Sequence, residues 1–377
     1  MRHYEQELAR ALRLAEALAD PVRTQNSRER WLRALGWQET DRPPLMIQLP
    51  SVTCLPPPWN EFAPVPYRDA FRNPAAMMLS QLIQSVVPGL LLGDDSALTI
   101  RANLGTIQVA SALGAHWTQR EDDFPWVEPV NPRKLQRILE GDMAVTPQSG
   151  VLNQTCEMMC FFQRQLAGYP ALRECVCVAL PDLQGPLDTA EQIRGSELFP
   201  EFLEEPEKVA VLLQRVVDAT WQMAGWLRPL TRDPLLPQIT SQHNYFVPGT
   251  ILLRCDTAMM LSARMYAQQV RPFDAMLLER CGGGSIHSCG DFSHLIPEML
   301  EIRALKGLDC GESRRMDIHR IHRQCREQGA ALTRVVVSRD ELLSGQAANE
   351  FPSGAGLLYE AADWEDATAV AAARLRA

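Results

Sequence analysis

Apolar residues at Leu8, Ala11, Leu12, Ala15 and Leu18 recur at three- and four-residue intervals among Glu5, Glu7, Arg10, Arg13 and Glu16. That spacing predicts an amphipathic helix over residues 1–20. A second helical stretch, 27–35, stops at Gly36, a favoured residue just past a helix end. After the turn Asp41-Arg42-Pro43-Pro44, the apolar run 45–49 predicts a first strand, closed by Pro50 and the prolines 56–58. Residues 73–85 have helical spacing, with Asn73 as cap and Pro74 in the first turn. The run Leu90-Leu91-Leu92 is expected to be a second strand, opening into Gly93-Asp94-Asp95-Ser96.

Further along, helices are expected at 132–139, 206–228, 263–270, 292–302, 316–328 and 364–376. Strands are expected at 175–180, 285–289, 307–310, 333–337 and 356–359. Strands alternating with helices of ten or more residues indicate parallel βα units. About eight such units, with no glycine fingerprint for a dinucleotide, predict an α/β fold of the (β/α)8 TIM-barrel type. The 377 residues exceed the roughly 250 of a plain barrel, so one barrel with insertions accommodates them. The division expected is a helical extension over 1–26 and a barrel over 27–377.

Composition changes this picture little. Hydrophobic residues make up 46% and charged residues 22%, near globular averages. A formal charge of −9 argues against nucleic acid as a partner, since that binding relies on Lys and Arg meeting phosphates. The basic stretch 314–326 reads as one solvated helix face. No run approaches about 18 uninterrupted apolar residues, so no membrane partner is expected. The charged N-terminus lacks the apolar centre of a signal peptide, and a cytoplasmic location is expected. The ten cysteines are expected to be thiols in that setting. Cys156/Cys160 and Cys175/Cys177 match no zinc-ribbon spacing and read as buried apolar cysteines.

Candidate chemistry concentrates in Cys281-Gly282-Gly283-Gly284-Ser285-Ile286-His287-Ser288-Cys289-Gly290-Asp291. Alternate strand residues share a face, so His287 and Cys289 project together, toward the barrel mouth if they face inward. An imidazole and a thiolate side by side suit zinc. The plainer alternative is a buried histidine bonded to backbone beside an apolar cysteine. A Cys-His nucleophilic pair fits poorly, because the two side chains project in parallel. A third metal ligand must come from elsewhere. Cys310, ending the next strand, is the first choice, ahead of Glu312, His243 and Cys281. Asp95 and Asp256 are candidate catalytic carboxylates, and Gln242, His243 and Tyr245 candidate substrate-binding residues, because each lies near a strand end. Taken alone, such residues are more often caps or turns.

Several segments together resemble the uroporphyrinogen decarboxylase superfamily over roughly residues 27–372. They are Arg28-Glu29-Arg30-Trp31-Leu32-Arg33-Ala34-Leu35-Gly36 with Asp41-Arg42-Pro43-Pro44, and Gly185-Pro186-Leu187 with Gly195. To these add Glu205-Pro206-Glu207-Lys208-Val209, Asp256 with Met260-Leu261-Ser262 and Arg271-Pro272-Phe273, and His287-Ser288-Cys289-Gly290. The resemblance implies a barrel and two activities. The decarboxylases carry an arginine-rich segment after the first strand that grips substrate carboxylates. Gln48-Leu49-Pro50-Ser51-Val52 stands there instead, so a mouth without cations is expected. The methyltransferase branch implies zinc on His287 and Cys289 plus a later cysteine, but no cysteine follows Cys325. Asp317-Ile318-His319 is similar to the start of a corrinoid-binding motif, yet position 322 is His where that motif has Gly. A corrinoid would therefore arrive on a partner protein. The expected function is a zinc-dependent methyltransferase acting on a small thiol or similar acceptor. The alternatives are a metal-free carboxy-lyase, acting on a porphyrinogen or smaller carboxylate, and a non-catalytic barrel that docks a partner.

Overall fold

A computed structural model describes residues 3–374. Eight short parallel strands carry the architecture: β1 (Leu45–Gln48), β2 (Thr99–Ile100), β3 (Cys177–Val178), β4 (Leu252–Arg254), β5 (Gly284–Ser288), β6 (Leu305–Cys310), β7 (Ala331–Val337) and β8 (Ala355–Glu360). Six of them form one continuous parallel sheet in the order β1-β8-β7-β6-β5-β4, and β2 pairs with β3. Two seams join these pieces by other means. Gly185 N donates to Arg254 O at 2.8 Å, linking the segment after β3 to β4. At the other seam Asp95 N donates to Leu45 O, while the carboxylates of Asp94 and Asp95 accept from Ile47 N and Leu45 N. Side chains there replace a neighbouring strand and satisfy the edge of β1. The fold is TIM-barrel-like, as the alternation predicts.

Strand alternation sorts the core into two parts. Leu45, Ile47, Leu357 and Tyr359 face the surrounding helices, whereas Met46, Leu252, Ala331 and Leu358 face inward. The interior is filled by a hairpin, Ile239–Gln242 with Tyr245–Pro248, which no sequence signal announced. Its Ile239, Phe246 and Val247 join the inward residues together with Trp31. Burying side chains such as Phe246 and Val247 contributes roughly 1.5–3 kcal/mol each. The hairpin also explains a glycine in β6. A Cβ on Gly307 would stand 2.8 Å from both Pro248 Cδ and Ser285 Oγ. Gly282, at φ 82°, ends the helix Arg271–Cys281 rather than shaping the strand after it.

Several expected boundaries move. The helix expected at 27–35 begins at Pro21 under an Asp20 cap, so the proposed division at residue 26 falls inside it. Tyr4–Leu18 is the N-terminal helix, and its Leu8 and Leu12 lie in the main core. Residues 90–92 are helical, not a strand: the helix from Pro74 runs on through a wide turn to Leu92. A three-residue apolar run does not distinguish strand from helix. Val87 N bonds Leu82 O, five residues back, just before Pro88; Arg271 N likewise bonds Tyr266 O just before Pro272. Each widened turn precedes a proline that cannot donate to the ladder. Among the described residues one run, Pro74–Leu92, is long and apolar enough to span a membrane, and most of it is buried inside the fold. The helix expected at 292–302 shortens to Ile296–Leu300. The last helix, expected at 364–376, is Trp364–Arg374, and residues 375–376 lie outside the described residues.

Candidate metal centre and cationic cavity

His287 sits in β5 with its side chain inside the barrel, 4% exposed. Its Nδ1 lies 2.7 Å from Asp309 Oδ2, and Asp309 is its register partner on β6. A carboxylate on Nδ1 places the proton there and leaves Nε2 with a free lone pair. Nε2 lies 3.3 Å from Cys289 Sγ and 3.6 Å from Asp256 Oδ1. Among the described residues, Asp256, His287 and Cys289 are the one group whose ligand atoms converge closely enough for a metal ion.

The donor set fits zinc. Bond lengths near 2.0–2.3 Å in tetrahedral geometry place neighbouring N and O ligands roughly 3.3–3.4 Å apart and N and S ligands roughly 3.5–3.6 Å apart; the observed 3.6 and 3.3 Å fall within about 0.3 Å of those spacings. A Cβ on Gly311 would approach His287 Cε1 to 3.1 Å and Cys289 Sγ to 3.2 Å, so a side chain there would crowd both ligands by a few tenths of an ångström. Burial and then the Asp256 carboxylate push the Cys289 thiol up to about 11. A cation between those groups reverses that balance and favours thiolate. Asp256 is itself held in place: its Oδ1 accepts from Cys289 N at 2.7 Å. The buried Asp188 accepts from the backbone N of both Asp256 and Thr257, fixing the turn that presents the carboxylate.

Asp309 is the hub of the interior. Besides His287 it accepts from Tyr245 OH and Arg334 Nε, each at 2.7 Å. Burial opposes its charge, but Arg334 and His287 hold the carboxyl well below its ordinary range. Arg254, the register partner of His287 on β4, donates to Asp182 Oδ1 from Nε and Nη2, and Arg101 meets the other oxygen at 2.5 Å. Arg101, Asp182, Arg254, His287, Asp309 and Arg334 therefore form a layer around the barrel with alternating charge. A register shift in β7 between Leu332 and Val335 turns Arg334 inward. Arg254 and Arg334 correct the expectation of a mouth without cations: they come from β4 and β7, not from the loop after β1.

The hairpin turn brings His243 beneath the mouth. His243 takes φ +50°, a strained backbone for a non-glycine residue. Arg254 Nη2 donates to its Nε2 at 2.9 Å. Burial, then Arg101, holds the ring well below its usual pKa, so it is neutral. Beside it opens a cavity of about 500 Å³ whose wall includes Gln48, Ser51, Gln84, Asn244, Arg254 and Arg334.

The residues singled out from the sequence thus separate. His287, Cys289 and Asp256 come together, and His243 and Tyr245 line the adjoining cavity. Gln242 is buried within the hairpin and does not line it. Cys310 does not join the centre. In β6 it follows Asp309, so it faces the helices, packed into the outer core with Cys325; burial, then Asp309, raises its thiol pKa well above normal. Glu312 pairs with Arg315 at the surface, and Cys281 lies under the end of its helix. Asp95, expected as a catalytic carboxylate, lies apart from the centre at the start of β1, bonded by Arg30, Arg42 and Leu45 N. Arg101, Asp182, Arg254, Asp309 and Arg334 were missed. Their one sequence signal is a lone charge flanked by apolar strand residues, as in Leu252-Leu253-Arg254 and Leu308-Asp309-Cys310.

Fold and site together define an α/β barrel with a three-residue N/S/O centre beside a cation-lined cavity. No family model and no curated protein matches the chain. Among solved structures it is similar to a methyltransferase from Methanosarcina mazei, at 16% identity and a TM-score of 0.65. The match covers 93% of this chain and 98% of that one. At that identity the likeness shows the fold.

Proposed function

We propose that the protein is a methyltransferase in which His287, Cys289 and Asp256 hold zinc and a small thiol or similar acceptor takes up the methyl group. The observation that carries this reading is the grouping of His287 Nε2, Cys289 Sγ and Asp256 Oδ1 within 4.8 Å of one another, three protein ligands of which Cys289 and Asp256 reach solvent. Three ligands plus an open position is the catalytic pattern for zinc. Zinc bound there would hold the acceptor sulfur as thiolate at neutral pH. Asp309 fixes the tautomer and ring orientation of His287, and Asp188 fixes the Asp256 turn. On this reading the methyl donor would be a corrinoid, and it would be carried on a separate protein, since position 322 is His where a corrinoid-binding Asp317-Ile318-His319 stretch would need Gly. The fold of the methyltransferase from Methanosarcina mazei supports this assignment.

The test is metal analysis of protein purified without chelator, followed by methyl transfer from free methylcobalamin to small thiols. About one zinc per chain and zinc-dependent thioether formation are expected. Folded, metal-free protein that cannot be loaded would sink the reading. The three interior arginines favour a second reading, a metal-independent carboxy-lyase, and turnover of a porphyrinogen by metal-stripped protein would select it.

The partner carboxylate of a metal-bound histidine typically contributes 10–100-fold to metal affinity. Asp309→Asn should therefore weaken zinc by about that factor, read by competition with a chromophoric chelator. An unchanged affinity would show that Asp309 does not support the imidazole.

A further inference from the structure

We infer that Arg254 and Arg334 form a site for an oxyanion group of the substrate, and that Asp309 couples this site to the metal ligand His287. The anion site stands on the cavity alone; the coupling rests on the metal centre proposed above. Among the described residues, Arg254 spends Nε and Nη2 on Asp182, the latter also reaching His243, and its Nη1 meets no acceptor. Arg334 spends only Nε, on Asp309, and both of its Nη groups are without an acceptor. Both guanidiniums wall the same cavity, with side chains 11% and 19% exposed. A guanidinium fork with unspent donors matches the paired oxygens of a carboxylate, sulfonate or phosphate.

Charge points the same way. The interior layer sets Arg101, Arg254 and Arg334 against Asp182 and Asp309, a surplus of one positive charge before His287 is counted. No carboxylate lines the cavity; the remaining polar wall is amide, hydroxyl and the neutral His243. Hydroxyls and amides accommodate either sign, so the arginines decide it. The ligand is an anion.

Asp309 makes the second half of the inference. Its carboxylate accepts from Arg334 and from His287 at once. An oxyanion on the Nη groups of Arg334 draws that cation's field away from Asp309. The carboxylate then polarises the His287 imidazole more strongly, and Nε2 becomes a better donor to a metal. Linkage makes the effect mutual: a metal on His287 must tighten the anion by the same factor. The substrate's charged end and its reacting end are thereby recognised together.

The experiment measures zinc affinity of the full chain by chelator competition, with sulfate or acetate replacing chloride at constant ionic strength. Sulfate should tighten zinc by about fivefold, the lower end of common coupling factors. Arg334→Gln should bind zinc as tightly as the sulfate-saturated wild type and no longer respond to sulfate; a merely structural role would loosen zinc instead. If that variant does not fold, Arg254→Gln, which leaves the partners of Asp309 in place, should show a reduced response. Equal zinc affinity in sulfate, acetate and chloride, or an undiminished response in the variants, would overturn the inference. Calorimetric titration of the metal-free protein with sulfate separates the two proposals. Sulfate binding without any zinc binding removes the metal centre and keeps the anion site; zinc binding without any effect of sulfate does the reverse.

Discussion

Replacing His287 by alanine should lower zinc affinity by well over 100-fold and abolish zinc-dependent methyl transfer, while Cys310→Ser changes neither. Loss of an outer partner already weakens metal sites by about 10–100-fold, and loss of a direct ligand exceeds that. His287 supplies the central donor: its Nε2 is the atom from which both Cys289 Sγ and Asp256 Oδ1 are measured at 3.3 and 3.6 Å. Two remaining ligands, one of them a partly exposed thiol pushed up to about 11 by burial and Asp256, hold a metal poorly. The fold should survive the change, because Asp309 keeps Tyr245 and Arg334 as donors and is not left as an unpaired buried charge. Cys310 is the internal control. It was the first choice for third ligand, and its outward side chain says it cannot be one. Zinc per chain after exhaustive dialysis decides the matter. Full zinc retention in His287→Ala, or its loss in Cys310→Ser, would contradict the site.

The Cys310 error shows what the sequence could and could not carry. Parity along a strand is legible, but which residue faces inward is not. His287 and Cys289 were placed on one side correctly relative to each other. Across to β6, the inward partner of His287 is Asp309, and Cys310 is one residue out of phase. A single-residue offset exchanges a buried carboxylate for a core thiol. The strands β5 to β8 were legible because apolar residues and glycine stops bound them. The hairpin was not, since Gln242-His243-Asn244-Tyr245 contains none of the glycine that marks a tight turn. The alternating ring was invisible for a further reason. Arg101 and Asp182, or Asp309 and Arg334, are partners because β2 pairs with β3 and β6 with β7, which sets residues far apart in the sequence side by side. Long-range pairing of charges leaves no local periodicity. What local pattern did show was that a charge interrupts an apolar strand, and such a charge in a barrel interior needs a partner.

Asp95 illustrates the opposite lesson, and it yields the largest expected effect on stability. Asp95→Ala should destabilise the fold by about 3–5 kcal/mol, the usual consequence of removing one member of a buried ion pair. Its side chain is 2% exposed and accepts from Arg30 at 2.6 Å, from Arg42, and from Leu45 N at 2.9 Å. Alanine leaves two guanidiniums short of their shared carboxylate and strips the edge of β1 of an acceptor. Arg30 retains Asp41, and both arginines are partly solvated, so the lower end of that range is expected. For a chain of 377 residues the change corresponds to a fall in Tm of roughly 4–6 °C. Asp95→Asn, which keeps an oxygen for Leu45 N, should fall by less. Neither variant should alter zinc affinity or the turnover per folded molecule, because Asp95 clamps the start of β1 while His287 lies near the C-terminal end of β5. Thermal unfolding followed by circular dichroism, with zinc titration of the same samples, tests both halves. A variant that stays as stable as the wild type but loses zinc or activity would return Asp95 to the catalytic role that its place near a strand end first suggested.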